Sequence, residues 1–154
     1  MVVSSYMEYS WYSSNVQDRL TLTIDDVLAL HDDVMTRQGQ MPAPLRGGGL
    51  VLLEAALARP QQAAFYAGAD VFQQAALLAI GIAQAHGFVD GNKRTATVVM
   101  IVFLRQDGLA VRAGAEMEFA HRLETALEAS RADRARAADA LAVWLRAFRQ
   151  VVRP

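Results

Sequence analysis

The sequence predicts a single all-helical domain of about six helices. Three observations carry that expectation. Apolar residues recur at helical spacing through most of the chain, alternating strand patterns are almost absent, and the breaks between periodic segments hold capping residues, Gly or Pro. At 154 residues, 53% hydrophobic and 20% charged, the chain has the size and composition of one globular domain with a real core.

The elements follow in order. Residues 1–20 are polar and rich in Tyr and Ser, and are expected to be an N-terminal extension to a domain covering 21–154. Thr23, with Asp26 three positions on, opens a helix with the stripe Val27, Leu28, Leu30 and Val34, which fades at Arg37-Gln38-Gly39. Pro42, Pro44 and Gly47-Gly48-Gly49 mark a loop. A second helix is expected over about 50–58, stopping before Pro60, with residues 60–69 as connector. Asp70 caps a third, Val71 to about Ala85, whose interior has no charge on any face and is therefore buried on most sides. Its Gly81 suggests a close neighbour. A fourth, also nearly uncharged, runs from about Asn92 to Arg105 and ends at Gly108, with 109–111 as a short extended piece. Two amphipathic helices, roughly 114–128 and 131–151, complete the chain, the last with Leu141, Trp144, Leu145 and Phe148 facing inward. No internal repeat or interdomain linker is present.

Composition excludes several functions. A net charge of −1 leaves no basic excess to neutralise a nucleic-acid backbone, so direct nucleic-acid binding is not expected. The absence of cysteine removes disulfides and thiolate metal sites, and three histidines limit any histidine-rich metal centre. The first 20 residues lack a basic start and an apolar run, and the longest apolar run, Val98 to Leu104, is far short of the ~20 residues that span a bilayer. A soluble, cytoplasmic protein is expected.

One segment concentrates the chemistry. The only lysine, Lys93, stands among 14 arginines elsewhere, inside His86-Gly87-Phe88-Val89-Asp90-Gly91-Asn92-Lys93-Arg94-Thr95-Ala96. The segment joins two buried helices and delivers the chain into a helix N-terminus, where unpaired N–H groups and the macrodipole attract anions. Cations in a first helical turn are disfavoured by ~0.3–1 kcal/mol each. Lys93 and Arg94 make sense there if a phosphate lies between them and the N–H groups. Asp90 offers a hard oxygen for Mg²⁺, and His86 could act as general base on an incoming hydroxyl. Singly, each residue also fits an ordinary cap or turn. Together they favour a phosphate site.

That segment resembles the signature of the Fic/Doc family, whose pattern is His-x-Phe-x-Asp/Glu-Gly-Asn-Gly/Lys-Arg. Its Asn-Lys-Arg-Thr-Ala ending resembles the Doc (death-on-curing) toxin branch. The likeness covers roughly residues 24–112, taking in Gly49 to Gln61 before the motif, and Val102-Phe103-Leu104 with Gly108 after it. The resemblance implies an all-α Fic fold, with a short flap between the second and third helices. It also implies transfer of a phosphate-containing group from a nucleotide to a protein hydroxyl. Members with glycine after the Asn transfer AMP. Doc-like members with lysine there resemble a kinase that holds the nucleotide reversed, its γ-phosphate at the reacting position.

The implied function is a toxin of a toxin–antitoxin system that moves the γ-phosphate of ATP to a Ser/Thr hydroxyl of an elongation factor Tu-like protein and stops translation. ATP and Mg²⁺ are the implied cofactors, and a Phd-like antitoxin the implied partner. In that reading His86 deprotonates the hydroxyl, Asp90 holds Mg²⁺, and Asn92, Lys93 and Arg94 grip the phosphates with the Gly91 backbone. Residues 60–67, with Gln61, Phe65 and Tyr66, would be the flap that docks the target, or else an ordinary connector. The alternatives are a protein adenylyltransferase and a catalytically silent binding or regulatory module.

There are departures from the pattern. Gly87 stands where many members have proline, which is expected to loosen the loop slightly without removing any chemistry, and Val98 replaces the second arginine of AMP-transferring members, which weakens the AMP reading. Ser4 to Glu8 has the spacing of the self-inhibitory helix, but Tyr9 follows in place of Gly or Asn, so an antitoxin acting in trans is expected. Elsewhere, Leu30-His31-Asp32-Asp33 resembles the His-Asp pair of metal phosphohydrolases but lacks enough further ligands. His31 is expected to be a partly buried helix residue, His121 and Arg131–Arg136 to face solvent, and Trp11 and Trp144 to pack.

Overall fold

The structure, a computed structural model, describes residues 22–110, 115–148 and 150–151. Within them are six helices: α1 (Ile24–Arg37), α2 (Gly49–Ala67), α3 (Val71–Ala85), α4 (Asn92–Gln106), α5 (Glu116–Ala129) and α6 (Arg134–Phe148). A two-residue antiparallel pair, β1 (Leu109–Ala110) with β2 (Gln150–Val151), joins the segments that follow α4 and α6. Apart from that pair the regular structure of the described residues is helical, as expected. Residues 1–20, with Trp11 and Ser4 to Glu8, lie outside the described residues, as does Val111.

The capping residues do what their chemistry suggests. Thr23 Oγ1 accepts from the Asp26 N–H at 3.3 Å while Asp26 Oδ2 accepts from the Thr23 N–H at 2.7 Å. Asp70 and Gln73 form the same reciprocal box at the start of α3, with both bonds at 2.9 Å. Each box satisfies two orphan donors, and losing such a cap typically costs ~1 kcal/mol.

α3 is the central helix, packed by α2, α4, α5 and α6. Phe72, Ala75, Ala76, Leu78, Ala79, Ile80, Gly81, Ile82 and Ala83 are all buried, which explains its lack of charge. α4 is buried over most of its length as well, from Thr95 to Val102. On the far side Phe119, Trp144 and Phe148 form an aromatic cluster, with centroids 4.8–5.4 Å apart.

The expected bounds of two helices need correction. α2 does not stop before Pro60 but runs on to Ala67, so the connector shrinks to Gly68-Ala69-Asp70. A proline inside a helix costs ~3 kcal/mol through its missing N–H and its ring clash. Here Gly49, Leu53, Ala56 and Pro60 form one buried face, and the small residues of α3 let that face come close: a Cβ at Gly81 would lie 3.2 Å from Ala56 Cβ. Packing along the face outweighs the local penalty. Gln61, Phe65 and Tyr66 are consequently helical, not part of an extended flap, and they cannot offer a strand edge in this form. The last helix is also shorter than 131–151. It starts at Arg134, where Asp133 Oδ1 accepts from the Arg136 N–H at 3.1 Å, and gives way to the short strand at Gln150.

The α3–α4 link is pressed against the start of α2. A Cβ on Gly49 would collide with the Gly87 carbonyl oxygen, and one on Gly87 would lie 2.7 Å from Leu53 Cγ. Far from loosening the loop, the glycine at 87 allows this contact. Residues 44–46 lie antiparallel to 87–89: Arg46 N–H donates to the Gly87 carbonyl at 2.8 Å and Val89 N–H to the Pro44 carbonyl at 2.9 Å.

His31 is fully buried, not partly so. Its position on the Val27–Leu30–Val34 stripe, four residues after Val27 and three before Val34, is the signal that should have placed it inside. The ring stacks on Phe88 with centroids 3.6 Å apart and planes 6° from parallel. Nε2 accepts from the Ala43 N–H at 3.2 Å, and Nδ1 lies 2.9 Å from Thr95 Oγ1. A backbone amide can only donate, so Nε2 is the unprotonated nitrogen and Nδ1–H donates to Thr95. Burial holds this imidazole below its usual range; the Arg94 charge adds to the effect, and those of Asp32 and Asp90 oppose it.

Two outcomes follow from this packing. Gly49→Ala should lower the unfolding free energy by about 1–3 kcal/mol, whereas Gly47→Ala, with nothing near its Cβ position, should change it by less than about 0.5 kcal/mol. Urea titration of both variants checks this; equal effects would refute the Gly49–Gly87 contact. Because the folded His31 resists protonation, the unfolded chain takes up the extra proton. The stability this group contributes is complete above the ordinary histidine value of about 6.5 and is lost as pH falls below it. Melting curves from about pH 7 to about pH 5 should show a smaller loss of Tm in His31→Gln than in the unmodified chain.

Candidate active site

The site is the link between α3 and α4 together with what surrounds it. His86 ends α3 with φ +46° and ψ +41°, making it the one non-glycine residue with positive φ among the described residues. Such a conformation costs roughly 1–2 kcal/mol for an L-residue. It turns the chain sharply and leaves the imidazole exposed at a cleft of about 420 Å³ between α3, α4 and α5. Lys93, Glu124, Glu128 and Arg131 line the same cleft, with Ala83 and Leu127 as its apolar wall.

Phe88 anchors the loop. Its ring is 2% exposed beneath the His31 stack, and its peptide is bracketed by Asn92. Asn92 Oδ1 accepts from the Phe88 N–H at 3.0 Å and Nδ2 donates to the Phe88 carbonyl at 2.8 Å, an oxygen that also accepts from Arg46 Nε at 3.2 Å. Asn92 was expected on a phosphate. The structure turns its amide onto the loop, where it fixes the backbone that carries His86 and Asp90.

Asp90 is 63% exposed at the loop's apex. Oδ1 accepts from the Gly91 N–H at 2.7 Å, and Oδ2 lies 3.4 Å from Arg94 Nη2. Gly91 takes φ +81° as the N-cap of α4, and a Cβ there would lie 2.6 Å from Met35 Sδ and 3.0 Å from His31 Cε1. Only glycine satisfies both constraints. Its own N–H is engaged by Asp90, so the expected anion nest moves one step on. No side chain caps α4, and the N–H groups of its first turn keep the anion-attracting character of a helix start.

The two cations diverge. Lys93 Nζ pairs with Glu124 Oε1 on α5 at 3.1 Å, over the His86 cleft. Arg94 turns instead toward the segment after α1, where Nη1 donates to Gln40 Oε1 at 2.6 Å and also to Gln38 Oε1. A grip by both on one group was expected; the structure sets them on either side of the helix start. Residues one apart on a helix point ~100° apart, so this divergence follows from helix geometry. Lys93–Glu124 is an exposed pair of little value to stability. Its consequence is where it parks the ammonium. Arg94 is held by two neutral amides on Nη1 and, more loosely, by the Asp90 carboxylate 3.4 Å from Nη2.

Gln38, Gln40, Arg46 and Glu124 were not anticipated. All reach the motif across dozens of residues from segments read as a loop or an amphipathic face, and no local pattern marks them. The expected flap residues lie elsewhere: Phe65 and Tyr66, each 82% exposed, form an edge-to-face pair with centroids 4.9 Å apart near the end of α2. Among the described residues no three His, Asp or Glu side chains gather as a metal cage, and no helix is long and apolar enough to cross a membrane. His121 is exposed, as expected.

Comparison with known proteins places the chain in a family. The model of the Fic/DOC family matches residues 21–104. The chain is similar to "Protein kinase doc" of Escherichia phage P1, 34% identical over 88 residues that cover 56% of this chain and 68% of that protein. It is also similar to "Toxin Doc" of Mycolicibacterium smegmatis, 38% identical over 76 residues covering 47% of this chain and 57% of the relative. The match spans α1 through most of α4, the helices that build the loop, and the chain belongs to the Fic/DOC family.

Proposed function

We propose that this chain is a Doc-like toxin, a transferase that moves the γ-phosphate of ATP to a Ser/Thr hydroxyl of an elongation factor Tu-like translation factor in the cytoplasm, and that a Phd-like antitoxin restrains it. The observation that carries the reading is Lys93: its ammonium stands over the cleft that holds His86. The names of the two relatives, a protein kinase and a toxin, support it.

The reaction follows from the groups present. His86 takes the proton of the target hydroxyl on a ring nitrogen as that oxygen bonds to the γ-phosphorus. The bond from the γ-phosphorus to the β–γ bridging oxygen breaks, and ADP leaves with the electron pair. Arg94, Lys93 and the N–H groups at the start of α4 neutralise the phosphates, and this kind of transfer needs mainly such positioning and charge. Asp90, a single exposed carboxylate, suits Mg²⁺, which is commonly held by one or two carboxylates together with phosphates and water. When bound, the ion would neutralise phosphate charge.

Purified protein incubated with elongation factor Tu and ATP labelled at either the γ or the α position tests the reading. Label is expected on the factor from the γ position alone; transfer from the α position alone would overturn the kinase assignment. His86→Ala should reduce the rate by about 10²–10⁴-fold with little change in ATP affinity, measured by steady-state transfer and calorimetric titration.

A further inference from the structure

We infer that His31 is a positioning residue for this site, a buried side chain that fixes the motif loop and the segment holding Arg94 against each other. The inference rests on the proposed transfer reaction for its functional meaning, but its geometry stands apart from it.

A buried histidine that merely fills space could be replaced by any flat apolar ring. His31 does more, because each face and edge of its ring meets a different part of the site. The face stacks on Phe88, whose carbonyl and N–H are the points by which Asn92 holds the loop. Nδ1–H meets Thr95 in the first turns of α4. Nε2 holds the Ala43 N–H, in the middle of the segment that runs from Gln38 to Arg46. Cε1 stands where a side chain at Gly91 would have to go.

The segment gripped at Ala43 touches the site at both ends. Gln38 and Gln40 hold the Arg94 guanidinium, while Pro44 and Arg46 hydrogen-bond to the backbone at Val89, Gly87 and Phe88. Ala43 sits between these two groups of contacts, and its N–H is held by the His31 ring. Release at Ala43 would therefore loosen Arg94 and the backbone around His86 together. Both effects would come through a residue that need not touch substrate.

The test uses the full chain with His31→Phe, which keeps a stackable ring of similar size and removes both directional bonds, and His31→Gln, which can restore an acceptor near Nε2. Hydrogen exchange measured by mass spectrometry is the first readout, since it needs no activity. In His31→Phe, residues 40–46 and 87–91 should exchange about tenfold faster while α3 keeps its protection, and His31→Gln should recover part of the loss. Affinity for ATP with Mg²⁺ should fall about tenfold in His31→Phe, and adding Gln38→Ala and Gln40→Ala should weaken it little further, because all three act through one segment.

Unchanged exchange at 40–46 and 87–91, or faster exchange spread evenly over the chain, would overturn the inference. Full multiplication of the effects on affinity would also overturn it. If His31→Phe does not fold, Ala43→Pro, which removes the N–H that His31 accepts and puts a ring carbon in its place, decides by the same exchange readout. An unmodified chain that binds no ATP would count against the proposed function, and the exchange result would still decide the role of His31.

Discussion

The site depends on one requirement of hydrogen-bond accounting. Two helices with almost no charge, α3 and α4, are buried side by side, so the backbone joining them must find partners at the edge of the core. It finds them in three places. The 44–46 segment takes Gly87 and Val89, the Asn92 amide takes both polar groups of the Phe88 peptide, and the Asp90 carboxylate takes the Gly91 N–H. The side chains of His86 and Asp90 are thereby set outward on a backbone with little freedom. The chemistry is exposed because the peptide groups are not.

Charge is distributed on the same plan. A helix start disfavours cations, yet Lys93 and Arg94 stand in it. Each is steadied from outside the helix: Lys93 by an exposed carboxylate on α5, Arg94 by two neutral amides together with the Asp90 carboxylate of the loop. An arriving polyphosphate would meet two separated positive groups around the helix start, in place of a single cluster. The separation suits an extended chain of phosphates better than one isolated anion.

Much of this architecture was legible in the chain itself. Thr23 with Asp26 and Asp70 with Gln73 cap helices because their side chains can bond locally, and the uncharged stretches of α3 and α4 can only be interior. Local chemistry does not decide the rest. Pro60 ends a helix in isolation, and only the depth of the face it shares with Leu53 and Ala56 carries α2 past it. Asn92 has the chemistry to bind a phosphate or to close a loop, and which it does depends on where Phe88 lies. Gln38, Gln40 and Glu124 reach the motif only through the tertiary fold. His31 is the case between: its stripe position announces burial, while its polar contacts emerge only when three distant segments meet.

The contact between Gly87 and Leu53 ties two positions that are far apart in the chain. A proline at 87 would bring its Cβ into the space that the end of the Leu53 side chain occupies. The two sites are therefore coupled: a bulkier residue at the first requires a smaller or displaced side chain at the second. Within the family this predicts covariation between the second residue of the motif and the first turns of α2, a trace of packing written into sequences whose reacting groups stay the same.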